Sequence, residues 1–223
     1  MNPQMDLIGR TGLKFFGTMT ASISHELKNV LAIINENAGL MKDLSLMARK
    51  GAPLDLDKVD KISSRFEQQV ARADHIVKGL NQFAHTIDTE VKPVEVDEAL
   101  EMVLSLAHRF IAMQNCAMEF KPSENPCRVN SNPFLLNNLL WFCLEYALEN
   151  PGPEKQIGIN CVSLDAKVLV SFTGIPEAAE KIHPCHLFSE EGTAVLQILG
   201  AEIEFNPETN SMILGLAKNS KNP

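Results

Sequence analysis

An apolar side chain returns at every seventh residue early in this chain, and that rhythm limits the possible folds more than any other feature. Phe16, Ile23 and Val30 form one row, and Leu27, Ile34 and Met41 form another. Such a repeat places its apolar positions along one side of a long α-helix. It predicts a first helix over residues 13–49. The stretch KGAPLDLD, with Gly51 and Pro53, interrupts it. Asp57 is suited to cap a second helix. There Val59, Ile62, Phe66, Gln69, Ala73, Ile76, Leu80, Phe83 and Ile87 follow one another at steps of three and four. Two long helices across a short loop form an antiparallel hairpin. A lone hairpin leaves its apolar seam uncovered. Pairing two hairpins into a four-helix bundle covers it, so a two-fold homodimer is expected.

The pattern changes near residues 89–93, where Pro93 favours extended backbone. VEV reads as a short strand and residues 97–112 as a helix. AMEFKP is a further strand. NPFLLNNLLWFCLEYALEN is a helix with Asn132 as its cap and Pro133 at its first position. QIGINCVSL and KVLVSFTG read as paired strands, residues 190–199 as a helix, and AEIEFNP with SMILGLA as a closing hairpin. The expected class is α+β: a long helical hairpin over residues 1–90, then a two-layer α/β sandwich over residues 91–223.

Composition removes several alternatives. A formal charge of -8, with no basic stripe, argues against a nucleic-acid partner. No run approaches the roughly 18 apolar residues of a membrane helix. The amino end lacks the basic and apolar regions of a secretory signal, so a cytoplasmic location without membrane insertion is expected. Cys116, Cys127, Cys143, Cys161 and Cys185 include no CxxC pair and read as reduced, mostly buried thiols. HPCH, residues 183–186, lacks the second ligand cluster of a metal site, so no metal is expected there.

Inside the first helix, Ser24-His25-Glu26-Leu27-Lys28-Asn29 gathers polar residues away from the seam. His25 and Asn29 are four apart and Glu26 and Asn29 three apart, so they can share a face. SISHELKNVLAIINENAGLM resembles the phospho-acceptor box of bacterial sensor histidine kinases. The resemblance implies that His25 accepts a phosphoryl group and that Glu26 assists its proton. It further implies that Asn29 can orient water for dephosphorylation of a partner. Lys28 can offset phosphate charge. An exposed imidazole has the lone pair that in-line attack needs.

The order of elements in the second part is similar to the ATP-binding domain of the same kinases. Matched box by box, it departs from them. Tyr146 stands where the family's Mg²⁺-coordinating asparagine is expected, and Phe142 near a phosphate-side polar position. Phe172 replaces the adenine-binding aspartate, and Pro176 the second glycine of a box in which Gly174 survives. A further glycine box is reduced to Gly192-Thr193. A phenol is a poor ligand for a hard cation, and a phenyl ring is none. The expectation is therefore a degenerate ATPase-like domain with no intrinsic cofactor, and ATP-dependent autokinase activity is not expected. The chain reads as a histidine phosphotransferase, moving a phosphoryl group between receiver-domain aspartates through His25. Its partner would be a response-regulator receiver, possibly that of a hybrid kinase, and the receiver would bring the Mg²⁺. The alternatives are a receiver phosphatase, a divergent histidine kinase and a noncatalytic dimeric adaptor.

Overall fold

The computed structural model describes residues 3–176 and 186–218. The first helix, α1, runs over Pro3–Arg49, ten residues further toward the amino end than its heptad rows foretell. The second, α2, covers Leu56–Ala84, and a 3-10 turn over His85–Asp88 continues it. Asp57 lies inside the first turn of α2, and Asp55 takes the capping role expected of it. The Asp55 carboxylate accepts from the Lys58 backbone N–H at 3.1 Å, satisfying one of the free amides of the helix start. The hydrogen bonds from Lys58 hold that carboxyl below its ordinary range.

Among the described residues, seven strands and three further α-helices follow. In order they are β1 (Lys92–Glu95), α3 (Val96–Gln114), β2 (Ala117–Lys121), β3 (Arg128–Ser131), α4 (Pro133–Glu149), β4 (Gln156–Ser163), β5 (Lys167–Thr173), α5 (Glu190–Leu199), β6 (Ala201–Asn206) and β7 (Ser211–Ala217). Five strands make a mixed sheet in the order β2-β4-β5-β7-β6, and β1 with β3 forms a separate antiparallel pair. Strand β3 is an addition to the expected set, because four residues reading Arg-Val-Asn-Ser give too short an alternation to stand out.

Contacts divide the chain into two compact units. One comprises Met1–Met19 with Phe83–Pro223, the other Thr20–Gln82. In the α/β unit one face of the sheet is apolar. Ile157, Ile159 and Cys161 of β4, Val168, Val170 and Phe172 of β5, and Met212, Leu214 and Leu216 of β7 are all buried. The register seats Ile159 beside Phe172 and Val170 beside Leu214, so these side chains line up on one side of the pleat. Helix α4 is buried on nearly every side, as its almost unbroken apolar sequence demands. The Asn132 side chain accepts from the Leu135 N–H at 2.9 Å, which is the cap expected there. The amino-terminal part of α1 belongs to this unit. Phe15 is 2% exposed and meets Phe83 edge-on at 5.3 Å and Phe134 at 5.6 Å.

In the hairpin unit, Ile23, Val30 and Ile62 are buried, as the heptad rows require. Among the described residues no helix is long and apolar enough to cross a membrane. Cys116, Cys127, Cys143 and Cys161 are free and buried. Burial, with the neighbouring Cys127 thiol next in weight, pushes the Cys161 thiol far up, out of reach of thiolate chemistry at neutral pH.

Candidate functional site

The polar face of α1 in the hairpin unit is built by helical geometry alone. Ser22 and Ile23 are buried, whereas Ser24, His25, Lys28 and Asn29 are exposed. Asn29 lies one turn after His25, and its Nδ2 is 3.4 Å from the His25 Nδ1. An amide nitrogen can only donate, so in this arrangement it donates to Nδ1 and leaves the ring proton on Nε2. Turned about its last side-chain bond, the same carboxamide would accept from an Nδ1–H and free the Nε2 lone pair. Asn29 can therefore pair with either imidazole tautomer and selects neither. Glu26 is half-buried, and its Oε2 is 3.7 Å from the Arg72 Nη2 on α2. Lys28 lies on the solvent side, three residues from His25.

Of the four residues anticipated here, the structure thus joins His25 with Asn29 and ties Glu26 to a partner that sequence reasoning missed. Arg72 carries no local signal. It is one of several charged residues on the outer face of α2, and only the antiparallel register of the hairpin selects it.

The α/β unit places the kinase-box positions differently. Tyr146 is 7% exposed and packs edge-on against Phe188 at 5.4 Å and Phe205 at 5.6 Å. Phe142 stacks on His186, centroids 5.6 Å apart and planes 15° from parallel. His186 Nδ1 is 2.7 Å from the Glu145 Oε2. Burial raises the Glu145 carboxyl, and the His186 hydrogen bond only partly offsets it. Phe172 is wholly buried in the sheet core. Gly174 has φ +82, and a side chain there would collide with the Gln156 carbonyl. At Gly192 it would collide with the carbonyls of His186 and Leu187. Both glycines are thus required by the chain's own packing. Tyr146 and Phe172 thus place aromatic rings where the resemblance led to the expectation of a carboxamide and a carboxylate. Among the described residues no group of three or more His, Cys, Asp or Glu could hold a metal ion. His183 and Cys185 of HPCH lie outside the described residues.

No protein-family model matches the chain, and no curated protein does. Solved structures do. The chain is similar to the catalytic domain of histidine kinase ThkA, with 21% identity over 58% of this chain and 98% of that one, at a TM-score of 0.48. It is also similar to the Acinetobacter baumannii histidine kinase AdeS, with 13% identity over 89% of this chain and 98% of that one, at 0.46. Full-length ShkA in complex with AMPPNP gives 14% identity over 86% of this chain and 46% of that one, at 0.48. At such identities the likeness is one of fold.

Two expectations are corrected here. The chain was expected to be a phosphotransferase that relays a phosphoryl group between receiver aspartates through His25, without autokinase activity. The solved structures to which the chain is similar are named as histidine kinases, catalytic domains among them, so the reading as a dedicated phosphotransferase without kinase activity does not stand. Nor is the form specifically that of a degenerate phosphotransfer module. The physical reason is that an altered box is a local change. Aromatic packing around Tyr146 alters what that region holds, but it leaves the hairpin and the five-stranded sheet complete and selects no phosphotransfer-only state.

Proposed function

We propose that the chain is the core of a divergent histidine kinase, acting as a homodimer on a response-regulator receiver domain. The observation that supports this most is the His25 face: an exposed imidazole one turn from a carboxamide within reach of its Nδ1, beside a carboxylate held by Arg72. With Nδ1 protonated, Nε2 attacks the γ-phosphorus of ATP in line; the N–P bond forms as the bond to the bridging oxygen breaks and ADP leaves. Glu26 serves as the nearby proton-accepting or orienting carboxylate, and Lys28 offsets phosphate charge. The receiver supplies its own aspartate and Mg²⁺ for the onward step. Exposed Leu31, Val70 and Val77 in the hairpin unit support the homodimer, since a second hairpin could cover them.

The test is a chase. The chain is incubated with γ-labelled ATP and Mg²⁺, and receiver domains are then added. Label should appear on the chain and pass to a receiver, and H25A should show neither step. A receiver labelled equally by H25A contradicts the proposal.

Asn29 favours a second activity of the same face, the dephosphorylation of the receiver. Its exposed carboxamide can orient water as readily as it holds His25. Asn29→Ala should then slow phosphate release from a phosphorylated receiver, with no phosphohistidine formed on the way.

A further inference from the structure

A cleft of about 390 Å³ opens in the α/β unit among β1, the first turns of α3 and the start of α4. It lies away from Tyr146 and its ring partners, and its size falls within the range of small-molecule sites, roughly 300–1,000 Å³. Its charged residues balance. Lys92 and Arg128 face Glu95 and Glu98 in number, and the Arg128 Nε donates to the Glu95 Oε1 at 2.7 Å. Nothing in this rim selects a net charge.

The polar group of the cleft with the least satisfied chemistry is Asn137. It lines the cleft and is 2% exposed. Its Nδ2 donates to the Met102 thioether at 3.4 Å, a weak acceptor. Its Oδ1 has no hydrogen-bond partner among the described residues. A buried carboxamide so poorly served is a group that a ligand can satisfy. The Oδ1 is shielded from solvent, so a ligand reaches the carboxamide only by displacing a neighbour, and Met102, which holds its Nδ2, is the one the proposal requires to move. Methionine is unbranched and half-buried here, so it can swing aside at small cost.

We propose that this cleft binds a small neutral carboxamide. A primary amide offers what Asn137 lacks on both sides, an N–H for Oδ1 and a carbonyl for Nδ2, in one planar pair of hydrogen bonds. The apolar body of the ligand rests on Val94, Ala99 and Pro133. A carboxylate of the same shape brings only acceptors and leaves Oδ1 facing another oxygen, so the site discriminates against it.

The test titrates the full chain with benzamide and with benzoate, followed by isothermal calorimetry. Benzamide should bind saturably, and benzoate about tenfold more weakly or not at all. Asn137→Leu should abolish the preference. Val94→Trp, at a half-buried strand position, should block benzamide while leaving Asn137 in place, and it decides the matter if the Asn137 variant does not fold. Absence of saturable benzamide binding, equal binding of benzoate, or undiminished binding by folded Val94→Trp each overturns the proposal. The same holds if a bound water satisfies Oδ1 and benzamide cannot displace it.

Discussion

The hairpin unit and the α/β unit place their informative residues in opposite surroundings. In the hairpin, His25, Lys28 and Asn29 stand in solvent on a helix whose opposite face is buried. In the α/β unit, Phe142, Tyr146 and Phe172 are buried rings. Exposed polar residues on a rigid helix contribute little to stability and are free to do chemistry. Buried aromatic residues contribute much to stability and are held in place by their neighbours. The exposed face around His25 and the stability of the sandwich are therefore separable by substitution.

The largest effect is expected at Phe172. Replacing this fully buried ring by alanine should cost about 3–5 kcal/mol in urea unfolding of the full chain. H25A, at an exposed helical position, should stay within about 0.5 kcal/mol of the parent. Similar losses at both positions would break the contrast. Next comes assembly. Leu31 is 62% and Val70 60% exposed, and charging both as glutamate should shift the chain to monomer in sedimentation while its helix content remains. An unchanged mass would remove these residues from the interface.

The smallest effect concerns pH. The Glu145 carboxyl is raised in the folded chain, chiefly by burial. In the window between its ordinary value and its raised one, the folded state keeps a proton that the unfolded state has lost. Stability therefore falls as pH rises through that window. Glu145→Gln can still accept from His186 and should remove that component, so its unfolding midpoint should gain on the parent as pH rises above the ordinary carboxylate range. Parallel pH curves for the two proteins would contradict this.

How much of this was legible in the sequence depended on the range of each signal. The heptad rows and the Asn132-Pro133 start disclosed α1, α2 and α4, because both are local patterns with a direct geometric meaning. Strand β3 escaped because its ladder partner, β1, lies over thirty residues earlier in the chain, paired as Lys92 with Ser131. Arg72 escaped for the same reason, since only the hairpin register brings it to Glu26. The polar run from His25 to Asn29 was readable as a shared face. The side-chain arrangement, with Asn29 donating to Nδ1, was not, because sequence spacing fixes no rotamer. The aromatic replacements at Phe142, Tyr146 and Phe172 were visible as identities. They prompted too strong a conclusion about activity, because identity alone does not tell what a region closed by Phe188 and Phe205 can still do.

The central claim is that His25 accepts phosphate. The most direct measurement incubates the full chain with Mg²⁺ and γ-labelled ATP, then maps acid-labile label by peptide. The label should fall on the peptide that contains His25, and it should vanish in H25A. Label at another residue, label that survives in H25A, or no label at all would contradict the account.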